Sequence, residues 1–289
     1  MKDKEPFYLE KAGALTVGRF SLLQEAGLQH AMSTRLGGVS KAPWLSLNLG
    51  YHVGDCAEDV TANRKLFCEA VGAEASKVVA LQQVHGNVVA VVDEGQCGQG
   101  AFAWAGALAG TDAMVTAARG VPLLLLVADC VPVLLFDPVH RVLALAHAGW
   151  KGTVAGIAAA SLQVMKERFG TKAEDCLAAL GPSIGQCCYP VGENVLQKLP
   201  ANFPVGLLRS EKGAQRLDLR GLNAWLLSEA GIPPQQIADA GVCTCCQKEL
   251  FFSHRGDDGH SGRLGLLAWL STNGFCQEEA DHHGDAGNQ

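Results

Sequence analysis

Charged side chains are scarce in this sequence, 18% of 289 residues, and no Lys/Arg-rich cluster relieves a net charge of −6. Gripping a nucleic-acid backbone needs a basic field, so nucleic acid is excluded and a small molecule is the expected partner. Long apolar runs are missing too. The greasiest, Val121–Val127, falls far short of the roughly 20 residues of a membrane span, and "MKDKEPFYLE" holds no apolar signal core. The expectation is a cytoplasmic protein with no membrane partner. No repeat of fixed period is found, and no Pro-, Gly- or Ser-rich linker is long enough to separate independent domains.

What is present is apolar. Hydrophobic residues make up 48% of the chain, which excludes disorder and points to one α/β domain or two closely packed lobes. The 11 cysteines are odd in number, and Cys187–Cys188 and Cys245–Cys246 are sequence neighbours that suit a disulfide framework badly. They read as reduced thiols.

"KVVALQQVHGNVVAVVDEG" is two β-branched apolar runs around His85-Gly86-Asn87, which reads as strand, tight corner, strand, with His85 at a strand end. "GVPLLLLVADC", "VPVLLFD" and "RVLALAHAG" read as three strands buried on both faces, cut by Pro132 and by the Asp137-Pro138 turn. Cys130 and His147 fall at their ends. The spacing of Val154, Ile157, Ser161 and Val164 or Met165 predicts a helix capped by Thr153 and stopped at Gly170. A second helix fits "DLRGLNAWLLSEAG", with Asp218 as cap, a stripe of Leu219, Leu222 and Leu226, and Gly231 after its end. "ELFFSH" reads as a strand. The polar tail holds His282 and His283, which read as a solvated pair.

One cysteine and two histidines at strand ends make a sound zinc set, open at the fourth position for a water. From spacing alone three readings stand: this metal site, an inert core thiol beside two turn histidines, or a metal-free Cys130 nucleophile with His147 or His85 as base.

"STRLGGVS", "SLNLGYHVGD", "QQVHGN", "GTDAMVT", "VADCVPVLLFDP", "AHAGWKGT", "GPSIGQCCYPVG", "DLRGLN" and "FFSHRGDDGHSGR" together resemble the YfiH/LACC1 family, once called multicopper polyphenol oxidases, in the same order from about Thr34 to Leu267. The resemblance implies a zinc site of His85, Cys130 and His147, with copper possible in the same place. It implies an α/β fold, a single-domain layered sandwich of mixed β-sheets flanked by helices, similar to the catalytic domain of cytotoxic necrotizing factor toxins. The expected division is an N-terminal segment at 1–28, a catalytic domain at 29–276 and a disordered polar tail at 277–289. The implied activity is purine nucleoside phosphorolysis on adenosine, inosine and methylthioadenosine, with accompanying adenosine deamination. One departure stands out: Gly256 follows Arg255 where the family often has a second arginine.

Phosphate and substrate candidates come from several motifs. In "GWKGT", Lys151 and the N–H groups of Gly152 and Thr153 stand where a helix begins, a natural anion site. Arg35 lies beside two glycines, Asn48 within "SLNLG", and Arg255 and Arg263 flank a Gly/Asp-rich loop. A surface lysine, a turn arginine and structural ion pairs would read the same way. Asp112 either orients a ligand histidine from behind or caps a turn. The Cys-x-x-Cys of Cys243 and Cys246 invites a metal or redox reading, and Cys187 and Cys188, beside Tyr189, read as pocket-lining or, by default, as small buried thiols.

The nucleobase-deaminase signature is absent, since no histidine has Glu two places on. Laccase chemistry needs about eight further imidazoles, normally in His-x-His pairs; this chain has 9 histidines and no such pair. Two other functions stay open: a hydrolase editing peptidoglycan precursors through zinc-bound water or Cys130, after the family's other name, and a non-enzymatic metal-binding scaffold.

Overall fold

Successive residues of the central apolar runs go to different cores, and the layers of the molecule follow from that alternation. A computed structural model describes residues 5–272. Its first strands are β1 (Phe7–Ala12), β2 (Leu15–Phe20), β3 (Gln29–Ser33), β4 (Val79–Gln82), β5 (Val89–Val91), β6 (Leu108–Ala109), β7 (Ala113–Thr116) and β8 (Leu123–Val127). The rest are β9 (Val131–Asp137), β10 (Val142–Ala148), β11 (Leu177–Leu180), β12 (Pro190–Val191), β13 (Leu208–Glu211), β14 (Ala214–Leu217), β15 (Ile237–Asp239) and β16 (Leu264–Trp269). The helices are α1 (Ser21–Glu25), α2 (Ala57–Val71), α3 (Trp150–Val154), α4 (Ile157–Phe169), α5 (Glu193–Leu196) and α6 (Leu219–Glu229).

A 7-stranded sheet has the order β1-β2-β3-β16-β8-β4-β6, and a 6-stranded sheet the order β15-β11-β9-β10-β7-β5. Both are mixed: β16 and β8 are antiparallel while β8 and β4 are parallel, and β9 and β10 are antiparallel while β7 and β5 are parallel. Leu123, Leu125 and Val127 of β8 meet Leu134 and Phe136 of β9 in the core between the sheets. The alternate residues Leu124 and Leu126 face outward to Phe67 and Cys68 of α2. Val131, Val133 and Leu135 face the other way, onto Ile157 and Leu162 of α4 and Leu222 of α6. A strand covered on both sides needs apolar residues at every position, which is why these runs show no polar alternation. The product is a single layered α/β domain. β1 and β2, ahead of residue 29, form one edge of the 7-stranded sheet. The tail from residue 277, with His282 and His283, lies outside the described residues.

Several local expectations are corrected. Pro132 does not end a strand; it is the second residue of β9, opposite His147. The break is at Asp129, whose φ of 81° turns the chain sharply. The predicted helix after His147 is two helices, because Gly156 (φ 78°) interrupts it. Gly149, not Thr153, stands at the cap of α3, and the Thr153 N–H donates to Gly149 O (2.8 Å). Gly170 does stop α4, and Asp218 caps α6 through the Gly221 N–H. On α6 the fully buried leucine of the last turn is Leu227, while Leu226 is half-buried. "ELFFSH" forms no strand: the Leu250 carbonyl accepts from the Arg35 N–H, and the Ser253 hydroxyl donates to Asp129, so side chains and loops replace a ladder.

A candidate metal centre in a cavity

Two of the connections that carry the chain from one sheet to the other each bring a metal-binding side chain to the same rim. The first runs from β4 to β5 and holds His85 in the left-handed region (φ 63°). The second runs from β8 to β9 and holds Cys130. His147 comes from the end of β10. Gln83 fixes the first connection against β8, since its amide donates to Leu126 O (2.7 Å) and accepts from Leu126 N–H (3.0 Å).

The donor atoms of His85, Cys130 and His147 lie within 4.8 Å of one another. Both imidazoles stand beside the Cys130 sulfur, and their ring centroids are 4.7 Å apart. Gly149 leaves the space for this packing: a Cβ there would stand 2.9 Å from the Cys130 sulfur and 3.0 Å from His85. Asp112, fully buried, organises the group from behind. One carboxylate oxygen accepts from the His85 N–H (2.9 Å) and from His147 Nδ1–H (2.9 Å), the other from the N–H of Gly86 (2.7 Å) and Val84 (3.2 Å). The left-handed turn at His85 is held by these bonds, and His147 is held with Nε2 left for the centre.

Burial alone would raise the Asp112 carboxyl, but the hydrogen bonds from His147 and the backbone outweigh it and hold its pKa below the usual value. Burial also opposes the Cys130 thiolate, yet His147 and then His85 bring that thiol down from 9.0 to about 6. Burial would lower the His147 pKa, whereas Cys130 and Asp112 raise it to about 9. These two shifts are largely one interaction seen from its two ends. A thiol of lowered pKa beside two imidazoles is a metal-ligand set from which an incoming ion displaces the His147 proton, so the residues fit a zinc or copper ion chemically.

The trio opens into a cavity of about 350 Å³, walled by Trp150, Tyr189, Ile184, His52, His254, Arg255 and Arg263. That volume falls in the range of small-molecule sites, roughly 300–1,000 Å³. A smaller adjoining space of about 240 Å³ shares His85, Cys130, Trp150 and Tyr189 and adds Lys151. The Arg255 guanidinium lies over the Tyr189 ring, 5.6 Å from its centroid.

The other candidates divide. Arg35 does not line the cavity: its guanidinium donates to Leu45 O (3.0 Å) and Lys248 O (2.9 Å) and lies over the Phe252 ring. Asn48 is buried behind the wall, accepting from the Gly50 and Arg263 N–H groups. Lys151 reaches the rim, but the anion site expected beside it is weakened, because α3 has 5 residues and the Thr153 N–H is taken by Gly149. Cys187 and Cys188 line neither cavity.

Sequence reasoning missed the role of Asp129. Its carboxylate accepts from the hydroxyls of Thr244 (2.6 Å) and Ser253 (2.7 Å) and from the Arg255 N–H (2.6 Å), tying the loop that bears Arg255 to the residue next to Cys130. Its position directly before Cys130 was the available signal. Trp150 and His52 were also missed, and nothing in their spacing marks them; of the pocket-lining stretch at 187–189 it is Tyr189, not the cysteines, that reaches the cavity.

Residues 29–271 match the family described as multi-copper polyphenol oxidoreductase laccase. The chain is 39% identical over 243 residues to purine nucleoside phosphorylase YlmD of Geobacillus stearothermophilus, covering 83% of this chain and 89% of that protein. It is 37% identical over 269 residues to purine nucleoside phosphorylase YlmD of Bacillus subtilis, covering 91% and 97% respectively. The crystal structure of YlmD from Geobacillus stearothermophilus superposes with a TM-score of 0.88 at 36% identity, over 93% of this chain and 100% of that one.

Proposed function

The chain belongs to the multi-copper polyphenol oxidoreductase laccase family, and from that premise we propose that it is a purine nucleoside phosphorylase whose reaction takes place in the cavity over His85, Cys130 and His147. The observation that carries this reading is the convergence of a thiolate and two imidazoles on a cavity walled by two arginines and two aromatic rings, in a chain whose relatives bear that name. Adenosine, inosine and methylthioadenosine are the proposed substrates, with adenosine deamination as an accompanying activity.

Zinc bound by the three residues would supply Lewis acidity and a bound water of pKa about 7; copper fits the same donors. The chain's own groups supply the rest. Phosphate attacks C1′ of the ribose as the N-glycosidic bond breaks, through an oxocarbenium-like transition state in which positioned charge dominates. Arg255 and Arg263 are the cations on the wall that orient phosphate, and Tyr189 and Trp150 offer flat faces to the purine. Lys151 serves the same anion from the adjoining space. His52 cannot act as an acid near neutrality, because burial, then Arg263 and Arg64, hold its pKa at about 4. His254 is the remaining lining imidazole outside the trio.

Initial rates against phosphate test the assignment. Arg255→Ala should raise the phosphate KM about tenfold at unchanged zinc content, with a smaller rise for Lys151→Ala. Curves identical to wild type in both variants would remove these residues from the acceptor site.

A further inference from the structure

Four cysteines that the cavity does not use meet on its outer flank. The chain between Ser183 and Tyr189 runs beside the chain between Val242 and Gln247, joined by the bonds Ser183 N–H to Val242 O (3.3 Å) and Thr244 N–H to Ser183 O (3.0 Å). Arg220, at the start of α6, clamps both through Val242 O (2.6 Å) and Ser183 O (3.3 Å). On this frame Cys187 and Cys188 face Cys243 and Cys246, and the four sulfurs lie within 4.8 Å of one another. The Cys246 sulfur is 3.5 Å from that of Cys187 and 3.4 Å from that of Cys188. The Gly185 N–H donates to the Cys243 sulfur (3.1 Å), and a Cβ at Gly185 would stand 3.2 Å from the Cys187 sulfur and 3.3 Å from that of Cys243. The glycine therefore leaves the sulfurs their room.

We propose that Cys187, Cys188, Cys243 and Cys246 form a second metal site, a closed four-sulfur centre that binds one zinc ion structurally. Four thiolates at about 2.3 Å from zinc stand roughly 3.8 Å apart in a tetrahedron, and the observed sulfurs are gathered at that scale. The backbone N–H aimed at the Cys243 sulfur stabilises thiolate charge. Exposed thiols at Cys187 and Cys246 would otherwise be open to oxidation, and coordination protects them. With all four positions taken by protein, the centre has no opening for water or substrate. It staples two loops whose next residues matter: Tyr189 follows Cys188 into the cavity wall, and Thr244 follows Cys243 to Asp129.

The test is metal content of the full chain purified under reducing, chelator-free conditions, with cobalt as a spectroscopic probe. Wild type should carry about two zinc ions per chain and Cys130→Ser about one. Cobalt-loaded Cys130→Ser should show the intense sulfur-to-cobalt charge transfer and tetrahedral visible bands of a four-sulfur site. Cys246→Ser should lose one zinc and retain the other. Should Cys246→Ser fail to fold, the Cys130→Ser spectrum decides alone, since its cluster is intact. Folded Cys130→Ser that holds no metal and gives no charge-transfer band with cobalt overturns the proposal. A disulfide of Cys246 with Cys187 or Cys188 in protein alkylated directly at lysis overturns it as well.

Discussion

Asp112 accepts from three backbone N–H groups and one imidazole, and a group so committed decides which nitrogen of His147 remains for a metal. Asparagine has one acceptor oxygen and would point a donor at donors. Asp112→Asn should therefore weaken metal binding roughly 10- to 100-fold, measured by competition with a chromophoric chelator; an unchanged affinity would make Asp112 a turn residue only. A different buried group sets a pH dependence far from the site. His30, 1% exposed, accepts from the Phe20 N–H (2.9 Å) and donates to Leu28 O (3.1 Å). Burial is the main cause that lowers its pKa from 6.5 to about 4. Between those values the unfolded chain takes up a proton that the folded chain refuses, so stability is lost as pH falls from 6.5 towards 4. The shift corresponds to roughly 3 kcal/mol. His30→Gln keeps one donor and one acceptor, and its denaturation midpoint should fall less steeply across that window than wild type. Parallel curves would contradict the assignment.

At the scale of elements, the connections between the sheets do what the strands cannot. Strands β8, β9 and β10 were legible as doubly buried because alternation fails in them, and Cys130 and His147 were legible by lying at their ends. The side on which each connection crosses was not, since that depends on which sheet β4 and β5 join, and neither strand's residues encode it. The stop falls at Asp129 and not at Pro132 because a proline near a strand's start is tolerated, whereas a left-handed aspartate has no composition signal. Asp129→Asn keeps the turn but removes charge and one acceptor beneath three donors. It should cost about 2–3 kcal/mol in chemical denaturation and loosen the loop of Arg255; wild-type stability would show that the three donors find water instead. The wall residues Trp150, Tyr189 and His52 are illegible for a related reason, as they come from three separate segments, Trp150 from the first position of α3, that tertiary packing brings together.

At the scale of the whole molecule, two mixed sheets between helices form a closely packed apolar body with the histidine–cysteine trio at one rim. Family motifs located the trio and the fold, yet the four-cysteine group needed the three-dimensional pairing of two distant loops to be seen. Among the described residues, groups of three or more metal-binding side chains number two, the trio and the four cysteines, and neither gathers the imidazoles of a trinuclear copper cluster. Copper-loaded protein should accordingly show no oxygen consumption with a phenol at rates typical of enzymes; steady turnover in an oxygen electrode would refute this. No helix among the described residues is long and apolar enough to cross a membrane.

Under the proposed function, the trio and its arginine-lined cavity cleave a purine nucleoside with phosphate as acceptor. The most direct measurement is product analysis by chromatography with adenosine, with and without phosphate, on wild type and Cys130→Ala of known metal content. The predicted result is adenine or hypoxanthine together with ribose 1-phosphate, formed only when phosphate is present and lost in Cys130→Ala. Free ribose released without phosphate, or turnover unchanged in Cys130→Ala, would refute phosphorolysis at this site.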